Sequence, residues 1–207
     1  MFRYNKIYCY KKGNYIVKEF FKKYSYTMIK LFVNQFAIAL FGLGMAFVSA
    51  YAGNLKLRVA TSIGAIIFYL FLLYAHMWEI GAKDGISAQA RETSRELWRG
   101  FAIGACANVL NILLAITITV TSLAKVAGGL GQAATAAALM LEGMYFGVLS
   151  VPMGGVVLSE HAWSYFLITL PAILVCGIAY ILGSYNLHAT NILIPKNKDV
   201  KNNGRPN

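Results

Sequence analysis

Trp78-Glu79-Ile80-Gly81-Ala82-Lys83-Asp84-Gly85 closes one long apolar run and opens the only charged loop between two such runs. The run behind it, from Leu57 to about Gly81, contains Phe68-Tyr69-Leu70-Phe71-Leu72-Leu73-Tyr74. At about 1.5 Å of rise per residue it is long enough to cross a hydrocarbon core about 30 Å thick. Trp78 stands where an interfacial aromatic belongs. Gly81 permits close packing or a bend, and Asp84-Gly85 is a turn signal. The helix is therefore expected to end here, with Glu79, Lys83 and Asp84 forming a charged cytoplasmic mouth.

The same reading carried outward gives spans over about 28–52, 57–81, 101–121 and 162–184, the last kinked at Pro171. The end of the first span, Ala50-Tyr51-Ala52, imitates a signal-peptidase site, but the run is too long for a signal core and reads as an uncleaved anchor. Ala39, Gly42, Ala46 and Ser49 recur along it at three- and four-residue spacing, a stripe that lets another helix come close. Residues 133–151 are barely long enough to cross. Gly128-Gly129-Leu130-Gly131 and Pro152-Met153-Gly154-Gly155 break the helix on either side, and the segment carries Glu142. The expected fold is an all-α integral membrane protein, a bundle of four transmembrane helices within 28–190 plus a re-entrant or interfacial helix at 133–151, with five spans as the alternative. Residues 1–27 read as a basic amphipathic leader on the membrane surface, with Phe20, Phe21 and Tyr24 on one face and Lys18, Lys22 and Lys23 in water. Residues 191–207 read as a polar, disordered cytoplasmic tail.

Composition supports this class. Of 207 residues, 58% are hydrophobic and 13% charged, and the mean hydropathy is +0.56; about 25% charged is usual for soluble domains. The net charge of +11 does not point to nucleic acid, because eight of the nineteen Lys and Arg lie in the first thirty residues, beside an apolar run. There they serve anionic lipid headgroups, the expected partner. Four crossings place 16 Lys and Arg inside and 3 outside, whereas five give 12 and 7. The excess of positive charge inside selects four, with both termini cytoplasmic. Cys9, Cys106 and Cys176 lie far apart in no metal or disulfide pattern, and no cofactor is implied.

With that orientation, polar side chains of all four spans fall in the inner half of the membrane: Asn34 and Gln35, His76 and Glu79 with Lys83, Asn108 and Asn111, and Tyr180. Buried polar groups in lipid face a bundle interior, so a polar site is expected in which Glu79 accepts from Asn108 or Gln35 with His76 one turn away. The alternative is that the amides hold helices together while Glu79 and Lys83 pair at i,i+4. His76-x-x-Glu79 has metal-capable spacing, but a carboxylate-bridged site needs several such sets, so no metal is expected. Glu142 is the other isolated acid, an ion or proton group if re-entrant and a solvated one if superficial.

Lys30-x-Phe32-x-Asn34-Gln35, Ile67-Phe68-Tyr69, Trp78-Glu79-Ile80-Gly81-Ala82-Lys83-Asp84-Gly85 and Ala107-Asn108-x-x-Asn111 together resemble a family of small uncharacterised integral membrane proteins of Gram-positive bacteria, over about residues 28–115. Family members tend to carry a proline between the two asparagines, where this chain has Val109-Leu110. The resemblance implies a bacterial inner-membrane protein and supplies no activity.

Three functions compete. A small transporter-like or channel-like component suits the polar cluster and the broken segment with Glu142. A non-enzymatic accessory, immunity-like or complex-assembly protein, with a homo-oligomer or membrane-complex partner, suits the small-residue stripes. An enzyme acting on lipid would have to use His76 and Glu79, the only candidate acid–base pair, and no catalytic motif is present. The transporter-like reading is preferred.

Overall fold

The computed structural model describes residues 2–124 and 129–187, with side chains from residue 17 onward. Expectations for the side chains of residues 1–16, Cys9 among them, and those for Lys125 and the tail at 191–207, fall outside these. Seven helices carry the fold: α1 (Phe2–Tyr51), α2 (Leu55–Ala90), α3 (Arg99–Ala107), α4 (Val109–Leu123), α5 (Gly129–Leu141), α6 (Phe146–Leu149) and α7 (Ala162–Ser184). The strands among the described residues form a two-residue ladder, β1 (Pro152–Met153) against β2 (Val156–Val157), closed by Gly154 and Gly155 at φ of +65° and +92°. Two successive positive-φ residues make the tight turn that glycine permits.

Among the described residues three helices are long and apolar enough to cross a membrane: Val17–Tyr51, Leu55–Ala90 and Ala162–Ser184. The pair α3–α4 makes a fourth if its 62° bend lies within one span. Large apolar side chains cover the outside of the bundle, with Phe47 68%, Ile67 63% and Phe71 61% exposed. Exposed apolar surface on that scale needs an apolar surrounding.

Local sequence explains where α2 begins. The Asn54 side chain accepts from the backbone N–H groups of Lys56 and Leu57 at 3.0 and 3.2 Å, the cap that an exposed first turn requires. Its end corrects the expectation at Asp84-Gly85. No turn forms there; the helix runs on to Ala90 and stops at Glu92, which takes φ of +52° while the Thr93 N–H reaches the Ala88 carbonyl. The connection to α3 is accordingly 91–98, shorter than the stretch 82–100 that separates the expected second and third spans. The reason is tertiary. A side chain at Gly81 would collide with the Tyr180 carbonyl, one at Gly85 with the Ser184 carbonyl, and one at Gly183 with the Trp78 carbonyl. Gly81-x-x-x-Gly85 thus forms the close-packed seam between α2 and α7, which run side by side in the same direction.

α1 likewise continues through Met28 without a break, so 17–27 extend the first span's helix instead of forming a separate segment, and the face of Phe20 and Tyr24 meets Trp98 and Asp84. α7 passes Pro171 as one continuous helix. The third expected span is interrupted at Asn108, whose amide donates to the Gly104 carbonyl at 2.9 Å and accepts from Asn111 at 3.2 Å. A side chain that competes for the helix's own carbonyl favours such a break, so the bend occurs here without a proline.

Candidate functional site

The polar residues separate into two centres. The first lies inside the bundle where α5 ends. The turn Gly143–Tyr145 sits against the small-residue stripe of α1: a side chain at Gly42 would strike the Met144 backbone, and one at Gly143 would strike Leu43 and the Ala39 carbonyl. From α2, Ser62 donates to the Met144 carbonyl; from α1, Gln35 donates to the Leu141 carbonyl at 3.4 Å. The stripe therefore receives a broken helix, and these side chains satisfy backbone groups that the break leaves without helical partners.

Glu142 occupies the break and is 3% exposed. Thr169 Oγ1 lies 3.0 Å from its Oε1 and also 2.8 Å from the Tyr165 carbonyl. A hydroxyl has one hydrogen, and a carbonyl oxygen can only accept. If Thr169 donates to Tyr165, the contact with Glu142 needs its hydrogen from the carboxyl. Glu142 is also within electrostatic range of the Tyr69, Tyr145 and Tyr165 hydroxyls. Tyr145 Oη and Asn111 Oδ1 are both buried without a hydrogen-bond partner among the described residues. Gly100 packs on Tyr180 and Gly104 on Cys176 and Ile173, so α3 runs antiparallel to α7. One turn further, that register brings Asn108 level with 169–172.

The second centre is at the far end of α2. Asp84 accepts from Lys23 at 2.6 Å, from Tyr180 at 2.8 Å and from Tyr24. Arg99 donates to Tyr24 at 3.3 Å and to Glu96 at 2.8 Å. One carboxylate thus ties α1, α2 and α7 together, and Tyr24 and Arg99 add α3. Each donor compensates part of the cost of holding the acid away from water.

The residues expected to share one site are distributed over these centres and the surface. Gln35 is at the helix break, Tyr180 is at Asp84, and Asn108 with Asn111 forms the α3–α4 bend. Asn34 is half-buried beside Gln35. Glu79 is on the outer face of α2, paired with Lys83 at 2.6 Å, with side chains 57% and 71% exposed. It meets neither Asn108 nor Gln35. His76 is half-buried, its Nε2 without a hydrogen-bond partner among the described residues, and Trp78 donates to the Leu187 carbonyl at 2.7 Å. Glu79→Gln is expected to leave the melting temperature unchanged, because exposed i,i+4 pairs contribute little; a drop of several degrees in a thermal melt would contradict this placement. No three His, Cys, Asp or Glu side chains gather to hold a metal among the described residues.

Asp84 was legible only as part of a charged mouth. Its partners Lys23 and Tyr24 are some sixty residues away in sequence, and no local pattern pairs them. The Gly81-x-x-x-Gly85 spacing was the available signal that this face is buried.

These features define an all-helical protein with helices suited to a membrane, a buried carboxyl at a helix break and an ion-pair cluster at a helix end. No protein-family model, curated protein or solved structure matches the chain.

Proposed function

We propose that the chain is a four-span, transporter-like membrane protein in which Glu142 carries a proton at a re-entrant helix break. The observation that carries this reading is the Glu142 carboxyl, buried at a break in the backbone and bonded to a hydroxyl whose hydrogen has another acceptor. Ionisable groups and broken helices within a bundle are where membrane proteins handle ions and protons. A re-entrant path is supported by the wall of one surface cavity, where Thr121 of α4, Gly131 of α5, and Ser159 and Ala162 at the start of α7 come together. The chain between them enters and leaves by the same end. Thr169 lies seven residues into α7, roughly 10 Å from that end. The charge distribution favours cytoplasmic termini, and the resemblance to Gram-positive membrane proteins favours a bacterial cytoplasmic membrane.

The test is proton uptake by purified protein in vesicles holding a pH-sensitive dye, driven by a potassium diffusion potential. Wild type is expected to exceed protein-free vesicles, and Glu142→Gln, which keeps the shape and a donor for Thr169, is expected to fold normally and fall to the protein-free rate. Equal uptake by wild type and variant would remove Glu142 from the pathway. A wild type no faster than empty vesicles would favour the accessory reading, which the packing role of Gln35 against the end of α5 also supports.

A further inference from the structure

Two adjoining clefts open where α2 ends. One, of about 370 Å³, lies under the 91–98 connection, with Asp84, Ser87, Arg91, Ser94 and Arg95 among its walls. The other, of about 730 Å³, lies between Phe20, Lys22 and Tyr24 of α1 and Trp98. Lys23, Glu96 and Arg99 line both. Within this set Lys23 is paired with Asp84 and Arg99 with Glu96. Arg91 and Arg95 enter no ion pair among the described residues, so the double cleft keeps two uncompensated guanidinium groups. Arg95 is held over the Tyr185 ring at 4.6 Å.

The chemistry of the two clefts differs. The smaller presents two forked donors beside the Ser87, Thr93 and Ser94 hydroxyls, a set that suits phosphate better than a lone carboxylate, because a phosphate ester offers more acceptor oxygens than the two of a carboxylate and can meet both guanidinium groups and a hydroxyl at once. The larger has an apolar aromatic wall, with Phe20 stacked on Trp98 at 5.7 Å and tilted against Tyr24 at 5.2 Å. Trp98 is 52% exposed at the end of the bundle, where aromatic side chains meet headgroups.

We propose that the double cleft is a binding site for a phosphate ester headgroup of net negative charge attached to an apolar chain, Arg91 and Arg95 holding the phosphate and the Phe20–Trp98 wall taking the first part of the chain. A headgroup bound here would bridge α1 to the α2–α3 connection. This does not depend on Glu142 or on the proton-carrying role.

The test uses the full chain in detergent, stripped of lipid, with the thermal midpoint read after adding phosphatidylglycerol, phosphatidylcholine or glycerol 3-phosphate. Phosphatidylglycerol is expected to raise the midpoint of wild type. Arg91→Gln with Arg95→Gln should abolish the rise, and Lys18→Gln, an exposed cation outside both clefts, should retain it. The Arg91→Lys, Arg95→Lys protein keeps the charge without the fork and controls for misfolding; it should show a reduced rise. A rise with the lipid alone identifies a lipid headgroup, and an equal rise with glycerol 3-phosphate identifies a soluble phosphate ester at the same site. The proposal is overturned if nothing raises the midpoint, if phosphatidylcholine acts as strongly as phosphatidylglycerol, if the double Gln variant keeps the rise, or if Lys18→Gln loses it equally.

Discussion

Gly81→Leu is expected to abolish the folded bundle, or to lower its melting temperature at least as far as the loss of the Asp84 carboxylate does. A Cβ at residue 81 already meets the Tyr180 carbonyl, carbon and Cα, all backbone atoms that no rotamer change can move. The helices themselves would have to separate. Overpacking a core costs typically 1–3 kcal/mol when side chains can yield, so with backbone on the far side the cost is about 3 kcal/mol or more. The loss would spread, because Gly85 and Gly183 share the seam and the Tyr180–Asp84 bond depends on the same approach. Gly64→Leu supplies the control on the same helix: a Cβ at residue 64 meets nothing within 4 Å. Thermal melts followed by gel filtration should show Gly64→Leu at or above the wild-type midpoint, since leucine favours helix over glycine. If Gly81→Leu melts with Gly64→Leu, the α2–α7 seam is wrong.

Asp84→Ala ranks second. It removes the acceptor from Tyr180, which is 2% exposed, and from Tyr24, equally buried, and it frees Lys23. Hydrogen bonds to a charged group are worth about 1.5–3 kcal/mol each and are not additive, so a total near 3 kcal/mol is expected. The contributions can be separated by double-mutant cycles. Lys23 has 49% of its side chain exposed, so its coupling to Asp84 should be about 1 kcal/mol or less and should fall with added salt. Tyr180→Phe should couple to Asp84→Ala more strongly and with little salt dependence, because that bond is shielded from water. Equal, salt-sensitive couplings would mean that the whole cluster is solvated, and the tie between α1, α2 and α7 would then be weak.

The amino-acid order alone was enough for the helical class, the apolar runs and the limits of the last long helix, because apolar length and the absence of charge are properties of each segment by itself; the start of the first helix and the end of the second lie well beyond their apolar runs. It also isolated Glu142 as an acid needing an explanation, but it misplaced the break: Gly129, Leu130 and Gly131 lie inside α5, and the expected helix at 133–151 is interrupted within, at Glu142, before the short α6. The expected single polar site was not legible. Depth along a helix can be counted from sequence, but which face a residue turns inward depends on the partner helix. Glu79 and Asp84 stand five positions apart on α2, yet one is in the open beside Lys83 and the other is held by residues of α1 and α7. Asp84-Gly85 reads locally as a turn, and it is helix because the contact with Ser184 needs a residue without a side chain at that point. Asn108 bends its helix where no proline stands, through a bond to Gly104 that only the folded backbone supplies. For Asp84 and Gly85 the local preference was weak, a fraction of a kcal/mol to about one, and contacts with residues distant in sequence outweighed it; at Asn108 the competing partner is the carbonyl four residues back along the same chain.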